Sequence, residues 1–224
     1  METSSWVSPN YNDRPDGLPI DMLVLHYTGM ETCEAALERL CDKDAQVSAH
    51  YLIDEDGTVH RLVDEDKRAW HAGVAWWRGS TDVNSRSIGI ELVNPGHEFG
   101  YRPFPEAQML ALEGLAKSIL KRHSIPPRNV VGHSDVAPTR KQDPGELFDW
   151  QRLAEKGIGL WTDNPTLIKS DIDDVSAMLL AYGYETADIQ ASLKAFQRHF
   201  CPQSISGEAD PVTVGRLAAL LELS

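Results

Sequence analysis

Cysteine is scarce in this chain: Cys33, Cys41 and Cys201 are an odd number with no CxxC spacing. That argues against a disulfide framework and a thiolate zinc site, and it marks the three as small buried apolar residues. Long apolar runs are missing too, so no segment reaches membrane-spanning length. The opening METSSWVSPNYNDRPDGLPI has neither a basic start nor an apolar run of roughly 7 to 15 residues, so no secretory leader is readable. A cytoplasmic location is therefore the expectation, although a chain trimmed of its export signal would read the same and belong in the periplasm. Positive charge is short as well: 21 Lys and Arg stand against 34 Asp and Glu, a formal net charge of -13. Such a surface repels nucleic acid phosphates and anionic lipid, which disfavours both as partners. There is no internal repeat, no low-complexity tract and no compact HExxH motif.

What is present is a chain of 224 residues, 42% hydrophobic, long enough for one substantial core and a small companion domain. Ile20 to Tyr27 (IDMLVLHY) is apolar up to Leu25 and suits a strand buried on both faces. Glu31 to Leu40 has helical spacing at Ala36, Leu37 and Leu40, and Ser48 to Val63 holds two β-rich segments around Asp56-Gly57, a hairpin signal. In SIGIELVN, alternation sets Ile88, Ile90 and Leu92 on one face and Gly89, Glu91 and Val93 on the other, so a carboxylate opposes an apolar stripe. Pro105 to Arg122 reads as a long amphipathic helix stopped before Pro126-Pro127, and Asn129 to Gly132 as a short strand ending at His133. Beyond Gly157 the pattern changes. WTDNPT resembles a linker that separates residues 1–162 from 163–224, and helices follow at about 171–182, 187–200 and 211–221, with Thr186 and Asp210 as expected N-caps and Gly183 as a stop.

Of eight histidines, His26 ends the buried strand and His133 follows the short one, positions suited to a metal site. With Asp143 in KQDPG they form a two-His, one-carboxylate set, which leaves a fourth position for water in a catalytic zinc site. Spacing alone does not separate that reading from solvated or core-satisfied residues. His60, His97, His123 and His199 carry no functional signal.

VLHYTG, VSAHYLIDEDGTVHRLV, WHAG, SIGIELVN and GHSDVAPTRKQDPG occur in the order found in N-acetylmuramoyl-L-alanine amidases of the AmpD and AmiD type, and the chain resembles that family over roughly residues 18 to 155. The resemblance implies an α/β fold, a mixed central β-sheet flanked by helices, with residues 1–162 as a zinc amidase domain. It implies one Zn2+ held by His26, His133 and Asp143, Glu91 as the base that activates water, and Lys141 as the cation facing developing negative charge. The implied substrate is peptidoglycan or a 1,6-anhydro-muropeptide, cut between N-acetylmuramic acid and L-alanine. The phage-lysozyme branch is similar around the hairpin, but Ala49 stands where its catalytic tyrosine is expected and Asp143 where it has a cysteine ligand, so its tyrosine mechanism does not transfer.

Tyr27, His50, His71 and Arg86 are candidates for holding substrate, with Trp70, Trp76 and Trp77 offering aromatic faces for sugar rings. His50 reads equally as a hydrogen-bonded core residue, and Arg86 and Arg140 are not ranked as partners of a stem carboxylate. LLAYG, AFQRHF and GEADPVT resemble the three-helix peptidoglycan-binding module, which implies a glycan-binding role for residues 163–224. A non-catalytic muropeptide-binding protein is the alternative from another class, but such relatives lack part of the metal set that is complete here. Oligomeric state is not readable.

Overall fold

The computed structural model describes residues 6–163 and 165–223, so Asn164 of the expected linker and the first five residues lie outside it. In chain order the elements are Tyr11–Asp13 (β1), Met22–Tyr27 (β2), Cys33–Cys41 (α1), Tyr51–Ile53 (β3), Val59–Arg61 (β4), Lys67–Ala69 (β5) and Val83–Arg86 (α2). Ser87–Leu92 (β6), Gly96–Phe99 (α3), Glu106–Arg122 (α4), Val130–Gly132 (β7), His133–Val136 (α5) and Trp150–Glu155 (α6) complete the larger part. Ile172–Tyr182 (α7), Ile189–Phe200 (α8) and Pro211–Glu222 (α9) follow.

The central sheet runs β4-β3-β6-β2-β7. β3, β6, β2 and β7 are mutually parallel, and β4 pairs antiparallel with β3 across the Asp56-Gly57 turn. β2 is buried on both faces because its alternate residues serve two cores. Leu23 and Leu25 join Ile88, Ile90, Leu92 and the α4 residues Met109, Leu112, Ala116 and Ile119. Met22 and Val24, one step out of phase, point the other way.

That second face is where the C-terminal helices lie. Met22, Val24, Trp77, Val131 and Val136 share one buried cluster with Val175, Leu179, Phe196, Phe200, Val214 and Leu217. Asp171, Asp188 and Asp210 cap α7, α8 and α9 through side-chain bonds to backbone N–H groups, and Gly183 ends α7. Asp188 takes the α8 cap in place of the expected Thr186. Polar groups pin the seam: the buried Asp135 carboxylate accepts from Tyr184 Oη at 2.6 Å, from His199 Nδ1 at 2.7 Å and from Gly132 N at 2.7 Å. Among the cysteines Cys201 is buried as expected, whereas Cys33 and Cys41 are half-buried, and all three are free thiols. No helix among the described residues is long and apolar enough to cross a membrane.

Candidate metal centre and active-site cleft

The parallel register brings the candidates together. His26 of β2 sits opposite Glu91 of β6, and Leu25 sits opposite Gly132 of β7, so His133 emerges beside His26. All three lie at the carboxyl ends of adjacent parallel strands, where open α/β sheets form their crevices. The loop after α5 returns Asp143 to the same point: its Oδ2 lies 3.0 Å from His26 Nδ1 and 3.1 Å from His133 Nδ1, and the two nitrogens are 3.0 Å apart. All three side chains are buried.

Their protonation follows from the outer partners. Ser87 Oγ donates its one proton to Val83 O at 2.7 Å, so at 3.1 Å it must accept from His71 Nε2–H. His71 Nδ1 then carries a lone pair and accepts from His26 Nε2–H at 3.0 Å, which leaves His26 Nδ1 bare. His133 donates Nε2–H to Ala72 O at 3.0 Å, which turns its Nδ1 toward the same point. Burial, with His133 nearby, holds His26 down to about 4, so it stays neutral at pH 7. Two imidazole nitrogens and a carboxylate oxygen thus converge within about 3 Å of one another, a buried cluster of ligand atoms that a cation placed among them would satisfy. Two nitrogens, each on a ring whose other nitrogen is held by a hydrogen bond, and one carboxylate oxygen suit zinc with a position left open. Gly89 makes room for the relay, since a Cβ there would lie 2.5 Å from the His71 ring.

Glu91 shares the cleft with these residues. Its Oε2 is buried with no hydrogen-bond partner among the described residues. Burial first, and then the Asp143 charge, push its carboxyl well above the ordinary range, with Lys141 pulling the other way. Arg86 does not neutralise Glu91; it forms a two-point ion pair with Asp21 instead. The cleft has a volume of about 390 Å³ and is lined by Tyr27, Trp70, His71, Glu91, Lys141 and Asp143 among others.

The four substrate-holding candidates divide. Tyr27 lines the cleft, its hydroxyl 2.9 Å from His97 Nδ1, and His71 borders it while serving as the partner of His26. His50 does not reach the cleft: fully buried, it accepts from Gly89 N at 2.9 Å, and its Nε2 lies 3.1 Å from Lys67 O. It is a core brace of β6, so the core alternative describes it. Arg86 is likewise held away by Asp21, and Arg140 is engaged with the carbonyls of Ala72 and Val74. Of the tryptophans, Trp70 lines the cleft, Trp77 is core, and Trp76 borders a separate hollow. His97 and the α8 residue Arg198 were not legible as neighbours of Tyr27; Glu146 joins them, 3.1 Å from His97 Nε2 and 3.8 Å from Arg198 Nε.

Comparison with known proteins gives concordant results. The family described as N-acetylmuramoyl-L-alanine amidase matches residues 16–146. The N-acetylmuramoyl-L-alanine amidase AmiD of Escherichia coli is 40% identical over 231 residues, 91% of this chain and 83% of that protein. The 1,6-anhydro-N-acetylmuramyl-L-alanine amidase AmpD of Haemophilus influenzae is 34% identical over 163 residues, 65% of this chain and 86% of its own length. Among solved structures, E. coli AmiD with anhydro-N-acetylmuramic acid-L-Ala-D-gamma-Glu-L-Lys superposes with a TM-score of 0.81 at 38% identity, covering 100% of this chain and 93% of that one. AmpDh3 of Pseudomonas aeruginosa gives 0.84 at 34% identity, covering 100% and 99%.

Proposed function

Because the chain belongs to the N-acetylmuramoyl-L-alanine amidase family, we propose that it hydrolyses the amide between N-acetylmuramic acid, or its 1,6-anhydro form, and the L-alanine of a stem peptide, with one zinc ion held by His26, His133 and Asp143. The carrying observation is the convergence of three buried ligand atoms beside the half-buried Glu91, whose Oε2 is buried with no hydrogen-bond partner among the described residues. When bound, zinc supplies Lewis-acid polarisation of the scissile carbonyl and acidifies the hydrolytic water.

The chain's own groups carry the proton. Glu91 accepts a proton from water as the hydroxyl adds to the carbonyl carbon, and returns it to the alanine nitrogen as the C–N bond breaks. Its raised pKa suits this exchange, because a carboxyl at the ordinary value would be a poor donor to an amine. The Lys141 ammonium faces the same cleft and stabilises the developing oxyanion. The reaction gives Glu91 a use that binding alone does not, because its Oε2 is buried with no hydrogen-bond partner among the described residues, a placement that costs stability.

Purified protein should contain zinc and release stem peptide from an anhydro-muramyl peptide, and chelation should abolish that release. Glu91→Gln should keep the metal and lose about 10² to 10⁴ in rate. Undiminished cleavage by Glu91→Gln removes the base assignment, and cleavage indifferent to chelation removes the zinc.

The C-terminal helices are read as a peptidoglycan-binding unit through LLAYG, AFQRHF and GEADPVT. Sedimentation with insoluble sacculi tests this: a soluble muropeptide that saturates the cleft should leave residual binding, and complete loss would assign all wall affinity to the cleft. Cell fractionation distinguishes cytoplasmic recycling from turnover of the wall outside the membrane.

A further inference from the structure

We propose that a second, basic groove continuous with the cleft binds the free carboxylates of the stem peptide, and so fixes which way round the muropeptide lies. The proposal rests on the amidase reading for the identity of its ligand. The groove, about 430 Å³, runs between the loop carrying Arg140, Lys141 and Gln142 and the exposed side of α8. The same three loop residues line the catalytic cleft, so an extended ligand passes from one to the other without leaving the surface.

Lys194 and Arg198 face Arg140 and Lys141 across this groove, four cations together in a chain of net charge -13. Lys194 and Arg198 are also four apart on one helix, a like-charge pairing that costs about 0.2–0.5 kcal/mol unless an anion lies between them. The nearby acids offset these four cations only in part, Asp188 at the groove wall and Glu146 at the edge of Arg198. The Asp188 carboxylate accepts from Ala191 N at 3.0 Å as the α8 cap. Glu146 is engaged by His97, and its Oε2 stands 3.8 Å from Arg198 Nε, which is buried without a hydrogen-bond partner among the described residues.

The two halves of a muropeptide differ in charge. The sugar is uncharged, whereas the stem bound by AmiD, L-Ala-D-gamma-Glu-L-Lys, leaves the glutamate α-carboxylate and the terminal carboxylate free, two anions against the one lysine ammonium. Cations therefore select the peptide half. Cleft walls that do not border the groove include Trp70, Met30, Leu40 and Val47, surfaces suited to a sugar ring and its acetyl group. The peptide thus runs toward α8 and the sugar away from it, with the scissile amide between them beside Glu91.

The test measures affinity rather than turnover, by calorimetry on zinc-loaded Glu91→Gln protein. The ligands are anhydro-muramyl-L-Ala-D-γ-Glu-L-Lys and its analogue with both carboxylates amidated. The acidic ligand should bind at least about tenfold tighter, and Lys194→Gln or Arg198→Gln should each remove most of that preference, as should high salt. Lys194 is exposed, so its replacement does not disturb the core. Equal affinity for the two ligands, or an equal loss for both in Lys194→Gln, overturns the groove. A wild type that binds with this preference but does not cleave would sink the amidase reading and leave the groove standing; cleavage without preference would do the reverse.

Discussion

Removing the Ser87 hydroxyl should weaken zinc binding even though Ser87 touches no metal ligand. The chain of bonds from Val83 O through Ser87, His71 and His26 fixes which nitrogen of His26 is bare. In Ser87→Ala the 3.1 Å bond to His71 Nε2 is lost, and the other His71 tautomer, which presents Nδ1–H to His26, is no longer penalised. A buried hydrogen bond of this kind contributes about 1 kcal/mol, so zinc affinity should fall about fivefold. His71→Phe goes further: the buried His26 Nε2–H loses its acceptor altogether, at a cost of about 1–3 kcal/mol, and the expected loss is about 10- to 100-fold. Competition against a chromophoric chelator measures both, with folding of the zinc-free variants checked by circular dichroism. Wild-type zinc affinity in both folded variants would refute the relay. A larger loss in Ser87→Ala than in His71→Phe would refute its direction.

Glu91 makes a second prediction, about stability. Its folded pKa lies above the unfolded value, so ionising it in the folded chain is penalised increasingly as pH rises from about 4.5. Zinc-free wild type should therefore lose stability toward neutral pH relative to Glu91→Gln, which should melt higher at pH 7 in a chelated thermal scan; a lower melting temperature would contradict this. Glu65 has the opposite sign. Despite the upward push of burial, bonds from Arg122, Tyr51 and His123 hold it near 2 against an ordinary 4.5. Its stabilisation is full above about pH 4.5 and fades as pH falls toward 2, so Glu65→Gln should cost about 1–2 kcal/mol at pH 7, discounted for solvent screening, and little at pH 2. Denaturant midpoints at the two pH values measure it, and an unchanging gap would exclude the ion pairs as the cause.

The strand pattern was legible because side chains in a strand alternate: SIGIEL alone put Glu91 opposite an apolar stripe, and the register carries it to His26. The metal set was legible only through the resemblance, since His26 and Asp143 are 117 positions apart and no periodicity connects them. His50 and His71 could not be told apart in sequence. Both occur in β-rich, aromatic surroundings, and only pairing to β6 sends one into the core and the other against His26. Arg86 was misleading because its partner, Asp21, lies 65 positions earlier. The seam through Asp135 was equally hidden, as its partners Tyr184 and His199 come from beyond the expected linker.

That seam determines how the two parts of the chain act together. Asp135 is tied to α8 and to the residue just before His133, and apolar side chains from both parts interleave behind the sheet, so the helices are packed against the larger part rather than tethered to it by the chain alone. Anything gripped by the C-terminal surface is presented to the hydrolytic centre at one bearing and one reach, as by the jaws of a fixed caliper. Were that surface to bind wall strands, a fixed bearing would select among them by shape.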